Sequence, residues 1–376
     1  MRKLKIAVLS AETGQGHTSV MEALKEELEC WENLEVDYYP SFYEDLMVSN
    51  RILSSFYNFL MVNSIELCGK YGEFTYLTKS DSTEEFYMGI YDNLKKLFDK
   101  EYLIIISVSH SINNAIIRYI KENDLDSMIY FAIVITDPYV PTAVGYNAIG
   151  ADRYYCANSF VKKYLVNSKV DEEKIKVFGY PLRKKFFDLE FNRFEYPFKD
   201  KKVTIYINSG SKGVYHNLFY LKEIICRRDL NIFISCGENI SLYTQCKRMV
   251  ERYNCSQNVK VYQYCNNINE IIFLSDIIVT KPGANAVYEV LALKKHLLID
   301  GVEGFLFQEK GIKDLISKYN IGKIMESYSD INVFIDEYIK NRYKYSYDIY
   351  VDPNASKNII SDIINCSNKK CKVHIE

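Results

Sequence analysis

Residues 276–311 read DIIVTKPGANAVYEVLALKKHLLIDGVEGFLFQEKG. A run of β-branched residues at 277–280 meets Lys281-Pro282-Gly283, and apolar residues then recur at helical spacing through 287–293. This pattern predicts a buried strand, a tight turn and a helix. In a parallel sheet such a turn lies at the carboxyl end of its strand, where open α/β folds hold ligands and a helix N-terminus favours an anion. The stretch therefore predicts an α/β fold with an anionic ligand at this turn.

Polar side chains that follow the turn are suited to hydroxyl groups. Glu289 lies inside the predicted helix, and from there its carboxylate can reach back to hydroxyls beside the turn, as acidic residues do with a ribose. A second strand, at 296–299, leads to a loop that carries Gln308 and Glu309. An amide beside a carboxylate suits the several hydroxyls of a sugar. These side chains suit a ligand rich in hydroxyl groups, but an ordinary βαβ unit without a ligand accounts for this stretch when it is taken alone.

Composition narrows the class of protein. A chain of 376 residues with 48% hydrophobic content is long enough for two domains. Its net charge of −2 and pI near 6.3 argue against nucleic acid as a partner, so any attraction to anionic lipid has to be local. No run approaches the length of a membrane span. The ten cysteines are scattered without C-x-x-C spacing, which is typical of reduced thiols in a cytosolic protein.

The chain opens with a predicted strand at 4–10, followed by the glycine turn AETGQGHTS at 11–19 and an amphipathic helix. This order can hold an anion. His17 in the turn is a candidate general base, because a histidine titrating near pH 6.5 accepts a proton at neutral pH. Glu12 is the rival base. The spacing Gly14-x-Gly16-x-x-Ser19 with Asp37 also nearly matches a dinucleotide fingerprint, although the third small residue is serine and the turn contains His17.

Residues 41–99 are rich in aromatic and aliphatic side chains at helical spacing. They would suit acyl chains, or they are helices packed on the sheet. Two further strands, at 103–108 and 129–135, end at His110 and Asp137, which are additional candidates for the base. Asp124-Leu125-Asp126 has the D-x-D spacing of metal-dependent sugar transferases, but its polar surroundings indicate a solvated turn.

The second half opens in the same way as the first. A strand at 203–207 precedes Asn208-Ser209-Gly210-Ser211-Lys212-Gly213, and a helix is expected to begin near Val214. Apolar spacing near 333–339 and 359–364 predicts closing helices, and the last ten residues read as a loose tail in which His374 has no role.

These motifs resemble the two-domain glycosyltransferases that make monogalactosyl- and glucosyl-diacylglycerol, and the related transferase that adds N-acetylglucosamine to lipid-linked muramyl peptide. The donor-site motif consists of Asp276, Thr280, Lys281, Gly283, Glu289, Gln308, Glu309 and Gly311. Further matches are at 12–17, 107–110, 179–183, 209–213, 234–239 and 267–276. The resemblance covers most of residues 4 to 325, with its motifs in the family's order.

The resemblance implies an α/β fold of the GT-B type, in which two Rossmann-like domains with parallel sheets face an interdomain cleft. It implies an acceptor and membrane-facing domain at 1–185, a linker at 186–200, and a nucleotide-sugar domain at 201–345. A closing helix at 346–366 and the tail at 367–376 would follow.

The resemblance also implies roles for individual residues. The expected donor-binding residues are Ser209, Gly210, Ser211, Lys212, Gly213, Gly237, Tyr264, Lys281, Gly283, Ala284, Glu289, Gln308 and Glu309. The expected acceptor-binding residues are Gly14, Gly16 and Thr142. The catalytic candidates are His17, Glu12, His110 and Asp137. No metal is expected, because the turn at 209–213 and helix N-termini would stabilise the diphosphate.

The implied reaction moves a hexose, with inversion, from a UDP-sugar to a lipid acceptor, which we expect to be diacylglycerol. The UDP-sugar is a substrate, and no cofactor is expected. The other partner is an anionic membrane surface, which places the protein in the cytoplasm at the inner face of the cell membrane. The oligomeric state, the sugar and the number of sugars added stay open.

Three alternatives remain at this stage. A nucleotide-sugar 2-epimerase has the same architecture and needs no lipid. A dinucleotide-dependent oxidoreductase would rest on the glycine spacing at Gly14. A non-catalytic nucleotide- or lipid-binding protein stays open because Gln15 and Ala143 depart from the family pattern, in which Trp often stands at the second position.

Overall fold

The computed structural model describes residues 3–12, 16–78, 82–188, 195–341 and 349–371, and in this part of the chain the strands form two parallel sheets of six. The first sheet contains β1 (Leu4–Leu9), β2 (Leu34–Tyr39), β3 (Ile104–Ser107), β4 (Tyr130–Val134), β5 (Arg153–Cys156) and β6 (Ile175–Val177). The second contains β7 (Val203–Asn208), β8 (Leu230–Ser235), β9 (Val259–Tyr262), β10 (Ile277–Thr280), β11 (His296–Asp300) and β12 (Gly322–Met325).

Helices connect and cover these strands. In the first half they are α1 (Gly16–Leu28), α2 (Phe42–Leu46), α3 (Val48–Asn63), α4 (Ile65–Thr78), α5 (Glu84–Phe98), α6 (Asn113–Glu122) and α7 (Ser159–Asn167). In the second half they are α8 (Asn217–Ile224), α9 (Ile240–Arg252), α10 (Ile268–Leu274), α11 (Ala284–Ala292), α12 (Ile312–Tyr319), α13 (Asp330–Asn341) and α14 (Ala355–Cys371). The α/β class and the two parallel sheets that the sequence predicts are confirmed.

The strand orders place one switch point in each sheet. The first sheet has the order β2-β1-β3-β4-β5-β6, so the chain changes direction between β1 and β3. The second has the order β12-β11-β10-β7-β8-β9, and the change lies between β7 and β10. Loops that leave neighbouring strands in opposite directions open a crevice at the carboxyl ends of those strands. The turns that the sequence singles out, after β1, β3, β7 and β10, are the ones at these crevices.

Several strands have the burial pattern of strands in the interior of a parallel sheet. All positions of β4, β7, β8 and β11 are buried, as expected for parallel strands covered by helices on both faces. One apolar core runs from the first sheet to the second and includes Ile6 of β1, Val287 of α11 and Ile359 of α14. This shared core brings the two crevices face to face.

Helix α14 returns from the second half to the first sheet, where it packs on α1 and β4. Its last turn contains residues 367–371, which the sequence analysis places in a loose tail, so that expectation is wrong for these residues. Lys370 explains the difference, since its Nζ atom lies 2.7 Å from Oδ1 of Asp152 and donates to the carbonyl of Ile129. His374 lies outside the described residues. The predicted domain boundaries stay a prediction.

The segment after β2 forms a helical hairpin, α3 and α4, with an apolar outer face. Leu60 is buried, whereas Ile52, Phe56 and Phe59 on α3 and Phe74 on α4 are exposed. The aromatic stretch is thus partly core and partly surface. None of the described helices is both long enough and apolar enough to cross a membrane.

Candidate functional site

A cavity of about 430 Å³, here called the cleft cavity, lies where the two crevices meet. It is lined from the first sheet by the residues after β1 and β4, and from the second by the turns after β7, β8 and β10. Most of the predicted donor residues line it: Ser209, Gly210, Ser211, Lys212, Gly237, Tyr264, Lys281, Gly283, Ala284, Glu289, Gln308 and Glu309.

Gly213 and Gly237 allow two turns of the second sheet to interlock. A Cβ atom at Gly213 would lie 2.0 Å from the carbonyl oxygen of Cys236, and one at Gly237 would lie 2.3 Å from that of Ser211. Both glycines also have positive φ, at +71° and +56°, which other residues rarely adopt. The N–H of Glu238 donates to the Ser211 carbonyl at 2.7 Å. The backbone of the turn at 209–213 is therefore held in place before any ligand binds.

Because these turns interlock, the helix that follows begins later in the chain than the sequence predicts. The sequence pattern predicts a helix that begins near Val214, but α8 begins at Asn217. The N–H of Val214 donates to the carbonyl of Ser209 at 3.0 Å, and Asn217 donates from Nδ2 to Oγ of Ser209 at 3.0 Å. These hydrogen bonds hold residues 214–217 against the turn at Ser209, so α8 begins three residues later than predicted.

Helix α11 begins at the edge of the cleft cavity, with Gly283 as its N-cap. The N-terminal N–H groups and the helix dipole favour an anion there. Glu289, farther along the same helix, is buried, and its Oε1 atom accepts a hydrogen bond from Nη2 of Arg183 at 2.9 Å. Burial raises the pKa of Glu289, and Arg183 opposes this shift. Arg183 comes from the first half of the chain, so this ion pair crosses the cleft.

The loop after β11 carries the predicted sugar contacts. Burial raises the pKa of Glu309 to about 7, and the nearby Lys281 opposes the rise. The Oε2 atom of Glu309 accepts from the N–H of Leu306 at 3.2 Å. The Nε2 atom of Gln308 donates to the phenolic oxygen of Tyr57 at 3.1 Å. Tyr57 belongs to α3, so the first domain contacts this loop directly.

His17 lies in the first turn of α1, opposite the donor turns. Its Nδ1 atom is 2.9 Å from the carbonyl oxygen of Val108, at the end of β3. A carbonyl only accepts, so Nδ1 carries the proton and donates it, which leaves the lone pair on Nε2. Burial lowers the pKa of His17 to about 4, and the bond to Val108 partly offsets this. The ring is therefore neutral at pH 7 and in the tautomer that a general base requires.

His110 and Asp137 lie beside His17. The two histidine rings have centroids 5.7 Å apart. Burial, together with the neighbouring His17, lowers the pKa of His110 to about 3, and its Nδ1 atom bonds to the carbonyl of Val144 at 3.0 Å. Burial raises the pKa of Asp137 to about 6, although the N–H of Ala143 donates to its Oδ2 atom at 2.7 Å.

A second cavity of about 400 Å³, here called the helix cavity, adjoins the cleft cavity. Much of its lining comes from α2 to α5 and from the loop after β4. Aromatic and aliphatic side chains such as Tyr43, Leu53 and Phe86 alternate there with polar ones such as Asn50 and Glu85. Four residues line both cavities: His17, Tyr57, Asp137 and Gln308. The cavities therefore meet at the imidazole and carboxylate that are candidates for the base.

Other predicted residues lie elsewhere. Glu12 is exposed, accepts a hydrogen bond from Ser41 and lines neither cavity. Thr142 is fully buried and lines neither cavity, while Gly16 lines the cleft cavity. Gly14 lies outside the described residues. Asp124 and Asp126 are exposed in the turn between α6 and β4, which confirms the solvated-turn interpretation.

Five cations of the first half, Lys162, Lys163, Arg183, Lys184 and Lys185, are the sequence candidates for attraction to anionic lipid. Four of them contact other residues of the protein, and the attraction stays a prediction. Arg183 pairs with Glu289, and Lys185 donates to the carbonyl of Asn266 and lines the cleft cavity. Lys184 lies 3.1 Å from Glu27, and Lys162 lies 2.9 Å from Glu172. Of the five cations, Lys163 is exposed. In the sequence, Arg183 ends a boundary motif and Lys185 follows it, and the basic character of this stretch gives no sign that Lys185 lines the cleft cavity.

Three residues of the site were not predicted as contacts. Asn285 of α11 donates to the carbonyl of Gly16 at 3.3 Å and accepts from the hydroxyl of Tyr180 at 2.6 Å. With Arg183 and Tyr57 it joins the two halves of the cleft. Only Arg183 had a sequence signal, the Gly-x-Pro-x-Arg motif at 179–183. In the described part of the chain, no three His, Cys, Asp or Glu side chains are grouped as a metal site would group them.

Comparison with known proteins connects this geometry to a family. Residues 17–182 match the family model of monogalactosyldiacylglycerol (MGDG) synthase, and residues 205–299 match the glycosyltransferase family 28 C-terminal domain. These matches identify the protein as a glycosyltransferase. The enzyme is 24% identical to a processive diacylglycerol beta-glucosyltransferase of Bacillus licheniformis, over 96% of this chain and 95% of that protein. It is 22% identical to the protein of the same name from Bacillus subtilis, over 96% and 94% of the two chains.

Solved structures identify the fold of the enzyme. MurG of Acinetobacter baumannii superposes with a TM-score of 0.57 at 14% identity, covering 96% of this chain and 99% of that one. MnaA of S. aureus in complex with UDP gives 0.61 at 13% identity, covering 98% and 97%. UDP-GlcNAc 2-epimerase of Neisseria meningitidis gives 0.60 at 12% identity, covering 96% and 100%. Likenesses at this level show the GT-B fold that the sequence predicts, which transferases and epimerases share.

Proposed function

We propose that this glycosyltransferase moves a hexose from a UDP-sugar to a hydroxyl of a lipid acceptor, diacylglycerol, with inversion and without a catalytic metal. The observation that carries the proposal is the meeting of two cavities with different linings at His17, Tyr57, Asp137 and Gln308. The turns and the helix N-terminus that line the cleft cavity suit a sugar nucleotide. The aromatic and aliphatic side chains among the lining of the helix cavity, which adjoin the exposed surface of α3, suit a lipid. The names of the relatives give diacylglycerol as the acceptor and a glucosyl group as the group transferred.

The nucleotide lies along the second sheet. The diphosphate occupies the crevice between β7 and β10, facing the turn at 209–213, the N-terminus of α11 and the half-buried cation Lys281. These groups are preorganised and stabilise the charge that develops on the leaving diphosphate. Glu289 accepts hydrogen bonds from the ribose, and Arg183 keeps its carboxylate in place. The base lies toward Gly237 and the half-exposed ring of Tyr264.

The hexose points from the diphosphate toward the first domain, where Gln308 and Glu309 bind its hydroxyl groups. This orientation places the anomeric carbon near His17, on the side where the two cavities join. The acceptor hydroxyl enters from the helix cavity. Attack comes from the face opposite UDP, so an α-linked donor yields a β-linked product.

The transfer needs one base and one leaving group. The acceptor hydroxyl gives its proton to Nε2 of His17 as its oxygen bonds to the anomeric carbon. The bond from that carbon to the β-phosphate oxygen breaks, and UDP leaves with the electron pair. The Nδ1–H bond to Val108 holds the ring in the required tautomer throughout. Glu12 does not fit this role, because it is exposed and lines neither cavity.

The acyl chains stay in a membrane surface against the outer face of α3 and α4. Leu53 lines the helix cavity and is also exposed beside Ile52 and Phe56, which links the cavity to the outer apolar surface. Apolar side chains that enter the interface give reversible membrane attachment. The cations Arg51 and Lys70 on the described part of the hairpin are paired with Asp45 and Glu66, so we expect anionic lipid to contribute less to this attachment than the apolar residues do. The protein acts in this proposal at the inner face of the cell membrane.

The test is a screen of UDP-glucose, UDP-galactose and UDP-N-acetylglucosamine, with and without diacylglycerol vesicles, in the presence of EDTA. The expected result is UDP release that requires both a UDP-sugar and diacylglycerol and that EDTA does not reduce. Conversion of UDP-N-acetylglucosamine without lipid would instead identify an epimerase. UDP binding without any turnover would identify a binding protein.

A further inference from the structure

The hairpin of α3 and α4 packs on the loop of the second half that carries the predicted sugar contacts. Leu306 lies in one apolar cluster with Leu60, Ile65 and Cys68 of the hairpin. On α4, the position of a Cβ atom at Gly72 is 3.6 Å from Cβ of Phe307, so the two segments approach closely.

Polar contacts reinforce this packing. Lys310 pairs with Glu73 of α4 at 2.6 Å. At the centre of the contact, Gln308 donates from Nε2 to the hydroxyl of Tyr57 at 3.1 Å. Burial raises the pKa of Tyr57 well above its usual value, so its phenol stays neutral and keeps its hydroxyl at every working pH. The environment of Gln308 is thus supplied largely by the first half of the chain.

We propose that Tyr57 is a positioning residue for the sugar: its hydroxyl holds the Nε2 atom of Gln308 and leaves the Oε1 atom to accept from a hydroxyl of the hexose. A glutamine side chain has several freely rotating bonds, and fixing it before the ligand arrives reduces the entropy lost on binding. Tyr57 acts through Gln308, and the hexose subsite is complete only when α3 is in place.

Helix α3 carries Tyr57 on one side and exposed aromatic residues on another. The opposite face of α3 carries the exposed Phe56 and Phe59, which the proposed function places against the membrane. One helix therefore contacts lipid on its outer face and orders the sugar contact on its inner face. The inference rests on the proposed function, since Gln308 has to touch the sugar for Tyr57 to matter.

The substitution Tyr57→Phe tests this role, because it removes the hydroxyl and keeps the ring in its apolar cluster. Calorimetry with UDP, UDP-glucose and UDP-galactose separates the nucleotide from the sugar. We expect unchanged affinity for UDP and a roughly three- to tenfold weaker affinity for the UDP-hexose that the wild type uses, the size of one buried hydrogen bond. A loss of fold or of nucleotide binding would instead weaken all three ligands.

A double-mutant cycle with Gln308→Ala shows whether Tyr57 acts through Gln308. If it does, the Tyr57→Phe, Gln308→Ala double variant binds the UDP-hexose no more weakly than Gln308→Ala alone. Losses that multiply would overturn the proposal, as would a Tyr57→Phe enzyme with wild-type affinity for the UDP-hexose.

Tyr91→Phe provides the matched control. Tyr91 is a half-buried tyrosine of α5 that packs against Tyr87 and Tyr119 and lines neither cavity. This variant should bind every ligand as the wild type does, and a change equal to that of Tyr57→Phe would count against a specific role. A wild-type protein that binds every UDP-hexose no more tightly than UDP would overturn the proposed function itself. A wild type that binds one UDP-hexose more tightly than UDP, together with a Tyr57→Phe variant of the same affinity, would overturn this inference alone.

Discussion

The cleft cavity and the helix cavity adjoin each other but are built differently. The cleft cavity is formed largely by turns at the carboxyl ends of β7, β8 and β10 and by the first residues of α11. The helix cavity is formed by side chains on the faces of α3 to α5 and by the loop after β4. A site for a diphosphate needs backbone N–H groups at set positions, and hence particular glycines. A site for an apolar molecule needs volume, which many side chains can enclose.

The two cavities should also respond differently to mutation. Variants on the donor side should change nucleotide affinity, whereas variants at the junction should change turnover at constant nucleotide affinity. Variants on the outer face of α3 should change membrane binding and leave nucleotide affinity and turnover unaffected. The predictions below test this separation.

The largest effect is expected for His17→Ala. Loss of a positioned general base typically lowers a rate about 10²- to 10⁴-fold, so kcat should fall by that factor. The calorimetric affinity for UDP should stay within about twofold, since His17 faces the nucleotide only across the cleft. Glu12→Gln is the control and should keep most of the activity. A His17→Ala enzyme that turns over at the wild-type rate would move the role of base to Asp137 or His110.

The next largest effect is expected for Glu289→Gln, which keeps the shape of the side chain and removes its charge. Hydrogen bonds to a charged group contribute about 1.5–3 kcal/mol, so UDP affinity should weaken by about this much. Glu309→Gln makes the same change in the same cavity. It should leave the affinity for UDP unaltered and weaken the affinity for the UDP-hexose. Equal losses of UDP affinity in both variants would mean that the nucleotide and the sugar are placed wrongly.

Membrane binding should weaken when Phe59 is replaced by serine. Its side chain is 61% exposed on α3, and loss of one inserted aromatic group should reduce partition into vesicles roughly tenfold. Ile240→Ser is the control, since Ile240 is 65% exposed but lies on α9 of the second half. Raising the salt concentration should release the wild type only weakly, because Arg51 and Lys70 on the described part of the hairpin are paired. Identical partition of all three proteins would remove α3 from the membrane interface.

The smallest effect is expected from pH. An unperturbed histidine would give an acid limb near pH 6.5, but burial lowers the pKa of His17 to about 4, so the neutral base persists well below pH 6. At saturating donor, kcat should therefore change by less than about twofold between pH 8 and pH 6.5, and should fall only as the pH approaches 4. Burial raises the pKa of Asp137 to about 6. A fall of kcat near pH 6 in the wild type that is absent in Asp137→Asn would therefore assign the base to Asp137.

The difference between the cavities also explains which parts of the site were predictable. Gly210, Gly213 and Gly283 stand next to apolar runs in the sequence, and each run is long enough to be recognised as a strand before a turn. The switch points then bring those turns together, as the general rule for open parallel sheets requires. Almost all of the predicted donor residues therefore line one cavity.

Contacts between the two halves of the chain were not predictable in the same way. Arg183 and Lys185 lie in a basic stretch that resembles a membrane-attracting cluster, yet both face the cleft. Tyr57 has the same aromatic neighbours as the exposed Phe56 and Phe59, yet it lies on the inner side of α3. Local pattern cannot distinguish these residues, because their partners lie 81 to 251 residues away in the chain.

The sequence by itself determined the two parallel sheets, the turns at their edges and the family, because strands, glycine turns and helix starts depend on neighbouring residues and on backbone conformation. The tertiary structure alone decided which nitrogen of His17 faces a carbonyl, which carboxyl groups have a raised pKa, and which aromatic side chain contacts the loop after β11. Those properties arise from burial and from contacts across the cleft. Both come into existence only when the shared core closes the two halves on each other.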